Sequence, residues 1–121
     1  MLKTHLIPIL KDNYAYVIQS GEAVGIVDPG EAQPIIDFLT AQNLTPTHIF
    51  ITHHHWDHIN GIPALQKKYN LEILGPESEE DKIHFLTQTL VEKEQVVFGD
   101  EKINIIETAG HTSGHICYYF K

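Results

Sequence analysis

A chain of 121 residues with 42% hydrophobic content can bury roughly two-thirds of the surface its unfolded form exposes, enough for one domain and too little for two. Eight basic against sixteen acidic residues give a net charge of −8, and Lys67-Lys68 is the only basic doublet, a balance that argues against nucleic acid or anionic lipid as a partner. No run approaches the roughly 20 apolar residues of a bilayer span, Met1-Leu2-Lys3-Thr4-His5 does not resemble a secretory leader, and the single cysteine, Cys117, allows no internal disulfide. These features predict a cytoplasmic protein with no membrane partner.

In chain order, strand-like runs rich in Ile, Val, Tyr or Thr occupy Leu2–Leu10, Tyr14–Gln19 and Ala23–Asp28, separated by Asp12-Asn13 and Ser20-Gly21, and predict a β-meander. After the turn Pro29-Gly30, Ala32–Gln42 carries Ile35, Ile36 and Leu39 at helical spacing with Pro34 in the first turn, which predicts an amphipathic crossover helix. A strand at Thr47–Ile51 follows it. Ile62, Leu65, Gln66 and Tyr69 then repeat at helical spacing, with Pro63 in the first turn and Asn60 placed as a cap, so a second helix is predicted there. Glu72–Gly75 reads as a short strand, Ser78–Leu90 as helical or irregular, and Gln95–Phe98, Lys102–Glu107 and His115–Phe120 as further strands. The last of these stops without a turn signal or polar tail, as though the sheet were cut, and an unpaired edge there predicts self-association.

The chemistry is concentrated in the histidines, nine in all. Ile49-Phe50-Ile51-Thr52-His53-His54-His55-Trp56-Asp57-His58 places four potential ligands directly after an apolar strand. In extended backbone alternate side chains point the same way, so His53 and His55 can converge on one ion, with Asp57 and His58 reaching a second position where the chain turns. Imidazole and carboxylate together suit zinc, with iron or manganese as alternatives. Farther on, Gly110-His111-Thr112-Ser113-Gly114-His115 sets a histidine between glycines that permit tight backbone geometry. His115 is expected to bond backbone near that loop. His5, His48 and His84 read as surface or internally satisfied histidines, Cys117 as a small buried side chain, and Tyr14, Tyr16, Tyr118 and Tyr119 as sheet residues without a functional role. Asp28, at a strand end, fits two readings equally: an acceptor that orients a ligand imidazole, or an ordinary turn aspartate before Pro-Gly.

His53-x-His55-x-Asp57-His58 with Gly110-His111-Thr112-x-Gly114-His115 resembles the signature of the metallo-β-lactamase superfamily. Within it, Ile7-Pro8-x-Leu10-x-Asp12-Asn13-Tyr14-x-Tyr16, Val27-Asp28-Pro29-Gly30-Glu31-Ala32 and Thr52-His53-His54-His55 are similar to the glyoxalase II family. The resemblance implies an α+β fold, the amino-terminal part of an αββα sandwich, spanning residues 1–121 as one domain. It implies two divalent metal ions, the first held by His53, His55 and His111 and the second by Asp57 and His58, with Asp57 also orienting the attacking hydroxide. The family's bridging aspartate and a further histidine have no counterpart in the 121 residues, so the second position keeps two protein ligands. The implied substrate is a 2-hydroxyacyl glutathione thioester such as S-D-lactoylglutathione, cleaved to D-lactate and glutathione in methylglyoxal detoxification. Another hydrolase of the same fold, or a non-catalytic metal-binding remnant, would share much of this ligand set.

Overall fold

The computed structural model describes residues 3–9, 13–52, 59–77, 86–91, 94–107 and 116–120. Strands β1 (Lys3–Ile9), β2 (Asn13–Ser20) and β3 (Ala23–Val27) form the predicted meander. The β2–β3 hairpin closes in two residues, Ser20 pairing with Ala23, because Gly21 takes a φ of 59° that a side chain would resist.

Helix α1 (Gln33–Ala41) crosses from β3 to β4 (His48–Phe50), burying Ile35 and Leu39. It ends in a left-handed residue, Asn43 at φ 56°. The Leu44 amide bonds the Leu39 carbonyl and the Asn43 amide the Thr40 carbonyl, which satisfies carbonyls that a helix end leaves open. From here the sheet turns parallel: β3 pairs with β4, β4 with β5 (Glu72–Pro76) and β5 with β6 (Gln88–Leu90), giving the order β1-β2-β3-β4-β5-β6. Helix α2 (Ile62–Lys68) links β4 to β5. A separate antiparallel sheet holds β7 (Gln95–Phe98), β8 (Glu101–Glu107) and β9 (Ile116–Phe120).

The central strands are buried on both faces, which is why Ile49-Phe50-Ile51 reads as an unbroken apolar run. Ile26, Ile49 and Ile73 pack with Ile35, Leu39, Ile62 and Leu65 in the helix layer, while Ile18, Phe50 and Leu74 pack with Phe98, Ile103 and Ile105 between the sheets. Gly25 makes the second core possible, since a Cβ there would lie 2.9 Å from Phe50 and 3.1 Å from Phe98. The layers are therefore helix, sheet, sheet among the described residues, the α+β arrangement expected from the sequence.

Two expectations are corrected. Residues 88–90 form a strand, not a helical or irregular stretch. The Thr87 hydroxyl accepts the Ile73 amide at 2.7 Å and its own amide bonds the Ile73 carbonyl at 2.8 Å, so the neighbouring strand supplies an order that a three-residue run does not signal. Asn60 is not the cap of α2. Gly61 stands there without a side-chain cap bond, because its amide bonds the Pro29 carbonyl at 2.8 Å and a Cβ would come within 2.7 Å of that same oxygen.

Candidate metal centre

The parallel strands β3, β4, β5 and β6 all finish at one edge, and β4 runs out of the sheet there towards His53. Every described hydrogen bond of that exit has a source. The Phe50 carbonyl accepts the Asp28 amide at 3.0 Å, and the Ile51 amide donates to the Leu74 carbonyl at 2.8 Å. One residue later the sheet partners stop and side chains take over. The Asp28 carboxylate accepts the Thr52 amide on Oδ1 at 2.8 Å and the Thr52 hydroxyl on Oδ2 at 2.6 Å. Charge-assisted bonds of this kind are the stronger ones.

Asp28 is buried, at 7% exposure, and has a φ of 51°. Aspartate is among the few residues that tolerate the left-handed region. This geometry turns the chain sharply out of β3 while the amide still bonds Phe50 and the carboxylate reaches Thr52. Asp28 thus sits at the turn into Pro29-Gly30, where its carbonyl accepts the Gly30 amide at 2.9 Å, and is buried there. The imidazoles that the other of its two readings would have it orient lie outside the described residues.

Tyr118 departs from expectation more plainly. From β9 in the other sheet, its hydroxyl donates to the Ile51 carbonyl at 2.5 Å, with the Leu74 carbonyl 3.4 Å away. Its ring stands edge-on to Phe50 at 5.2 Å. Burial first, and then the nearby Asp28 charge, push the phenol well above its ordinary pKa, so the group stays a donor. The tyrosine is therefore no passive sheet residue. The tyrosine carried no signal in the sequence, where it is one aromatic residue in an apolar strand, and Thr52 was marked only as part of the Thr52-His53-His54-His55 motif, with no role of its own.

His53, His55, Asp57, His58 and His111 lie outside the described residues, as do His84 and His115. What borders them is described. Thr52 precedes His53, Ile59 follows His58 and packs against the helix-layer core, and Glu107 and Ile116, which flank the His111 segment, are paired across β8 and β9. Among the described residues no group of three His, Cys, Asp or Glu comes together to hold a metal. The remaining described histidines are satisfied as expected. His5 Nε2 meets Gln19 Nε2 at 2.9 Å; His48 bonds the Thr47 hydroxyl at 2.7 Å and lies 3.4 Å from Glu72. Tyr14 and Tyr16 share one face and are exposed. Cys117 pairs with Ile106 in the β8–β9 ladder.

The family model described as the metallo-beta-lactamase superfamily matches residues 10–121, and the chain belongs to that superfamily. Within it, the chain is 39% identical over 111 residues to a hydroxyacylglutathione hydrolase of Rhizobium johnstonii, covering 90% of this chain and 43% of that protein; it thus spans less than half the length of this relative. Among solved structures, the BLEG-1 B3 metallo-beta-lactamase superposes with a TM-score of 0.84 at 23% identity, over 98% of this chain and 67% of that one. The class B3 di-zinc metallo-beta-lactamase LRA-12 from an Alaskan soil metagenome gives 0.79 at 17%, over 88% and 50%. At such identities the structures attest the fold alone.

Proposed function

We propose that this chain carries the metal-binding part of a hydroxyacylglutathione thioesterase. His53, His55 and His111 would hold one divalent ion and Asp57 and His58 a second, zinc being the ion best suited to this set of imidazoles and a carboxylate. The observation that carries the metal reading is the buried clamp of Asp28 on both polar groups of Thr52. It fixes the backbone immediately before a run in which the donor chemistry fits a divalent cation. Ligand-bearing segments held by outer hydrogen bonds are the common design of metal sites. The substrate reading is supported by the 39% identical hydroxyacylglutathione hydrolase.

When bound, such an ion pair makes hydroxide available at neutral pH and polarises a carbonyl. The chain's own contributions are simpler. Asp57 orients the attacking water, and Asp28 and Thr52 hold the strand that presents His53 and His55. No dedicated general acid is needed, because a thiol leaving group with an ordinary pKa of about 8.5 departs readily as thiolate. With a single cysteine, a reducing, cytoplasmic setting accords with this chemistry.

The test is metal content and turnover of S-D-lactoylglutathione side by side. His55→Ala should lower bound zinc sharply, by removing one of three imidazoles, whereas His84→Ala should leave it unchanged. Equal zinc in both variants would remove the ligand assignment. Retained zinc with no thioester hydrolysis, in a form matching the full length of the relative, would remove the substrate.

A further inference from the structure

We propose that the Tyr118 hydroxyl is a positioning group for the metal centre: by donating to the Ile51 carbonyl it locks the strand that enters His53 against the hairpin that carries His111. The inference rests on the ligand reading above and adds to it a physical connection between the two ligand-bearing segments.

Three observations support it. First, the Ile51 carbonyl belongs to a residue with no exposed surface, past the last residue of β4. The Phe50 carbonyl before it and the Thr52 amide after it are both bonded through Asp28, the Ile51 amide donates to the Leu74 carbonyl, and it is the Tyr118 hydroxyl that answers this oxygen. A buried carbonyl without a donor is rare and costly. Second, Tyr118 pairs with Ile105 in the hairpin whose strands flank residues 108–115, so a shift of that hairpin relative to β4 must stretch the bond. Third, the hydroxyl is aimed by packing. The Tyr118 ring is held edge-on by Phe50 at 5.2 Å, and Phe50 in turn by Phe98 at 5.4 Å, which leaves its two torsions little freedom.

The opposite edge of the same two sheets is already fixed, because the Asp100 amide donates to the buried Ser20 hydroxyl at 2.9 Å. A second fixed point at the metal edge removes the remaining freedom of one sheet to pivot on the other. Two imidazoles from one strand exit and one from the hairpin can then meet a single ion at a set distance, within the tolerance of a few tenths of an ångström that ligation allows.

The experiment uses zinc alone as the probe and the 121-residue chain as wild type, Tyr118→Phe, Ser20→Ala and His55→Ala, with affinity read by chelator competition and folding by urea titration. Y118F keeps the ring and deletes only the hydroxyl. It should weaken zinc binding by about 10–100-fold, the usual effect of losing an outer partner of a metal site, while S20A lowers the urea midpoint and leaves zinc affinity unchanged. The visible spectrum of the Co²⁺-loaded protein should shift in Y118F and not in S20A. Wild-type zinc affinity in Y118F beside lost affinity in H55A overturns this inference alone. A wild-type chain that holds no zinc overturns the metal centre and this inference together. Failure of Y118F to fold while S20A folds would make the hydroxyl a general support of the fold and equally overturn its positioning role.

Discussion

At the edge where β2 turns into β3 the two sheets meet through a serine and a glycine, whereas at the opposite edge they meet through a tyrosine, beside an aspartate that ties two strand ends of one sheet. The first junction is one of close approach. Ser20 is fully buried, the Asp100 amide bonds its hydroxyl, and Gly99, at φ 57°, presses so near that an added Cβ would overlap the Ser20 carbonyl. At the second junction one long side chain spans the gap, Tyr118 reaching from β9 to the Ile51 carbonyl, and beside it Asp28, at the end of β3, ties the exit of neighbouring β4 through the Thr52 amide and hydroxyl. Small groups fix the separation of the sheets, and long polar ones orient the strand ends beside the candidate ligands. Placing rigidity at one edge and oriented polar chemistry at the other is what a preorganised site requires.

Gly99 is where the close-approach junction is most vulnerable. Alanine there meets both a left-handed backbone and an occupied space, so Gly99→Ala should destabilise by on the order of 2–4 kcal/mol, read as a lower urea midpoint, while the folded fraction keeps its zinc affinity. Zinc affinity that falls in G99A as far as in Y118F would erase the distinction between the edges. Next in size is Asp28→Ala. It leaves the Thr52 amide and hydroxyl without their acceptor, a loss of about 1–3 kcal/mol, and unlike G99A it should also weaken zinc by about tenfold or more. Asp28→Asn sharpens the point, because an amide offers one acceptor where Thr52 uses two; it should fall between wild type and D28A in both measurements.

Much of this was legible in the sequence, for identifiable reasons. Runs rich in Ile, Val, Tyr and Thr between turn residues mark β1 to β3, and the spacing of Ile35 and Leu39 reports burial directly, so the meander follows from composition and turns and the crossover helix from side-chain period. The histidine segment reports ligand chemistry by residue type alone. What the sequence could not convey depends on neighbours distant along the chain. β6 exists because Thr87 and β5 pair it, Gly61 replaces Asn60 at the start of α2 because the Pro29 carbonyl needs the space, and Tyr118 matters because Ile51, 67 positions away, presents an oxygen to it. Asp28 was half legible: its place at a strand end was plain, while its left-handed turn and its grip on Thr52 were not.

The smallest effect expected is at His48, which belongs to neither junction and separates pH effects on the sandwich from those on the metal edge. Its ring is stacked on Phe50 at 5.8 Å and meets the Phe98 edge at 5.3 Å. Burial against these rings lowers its pKa from the ordinary value of 6.5, with Glu72 opposing the shift. The folded protein therefore takes up this proton later than the unfolded chain as pH falls. Stability supplied by neutral His48 is complete above about 6.5 and is lost as pH descends through the lower folded value. His48→Gln should thus be less sensitive to acid than wild type between neutrality and the onset of carboxylate titration, with the curves separating in urea midpoint as pH drops below 6.5. Measured without metal, so that titration of the candidate ligands does not intrude through binding, parallel curves for the two proteins would show that the Glu72 charge cancels the burial. A steeper acid loss in H48Q would reverse the sign and require His48 to be held in its charged form.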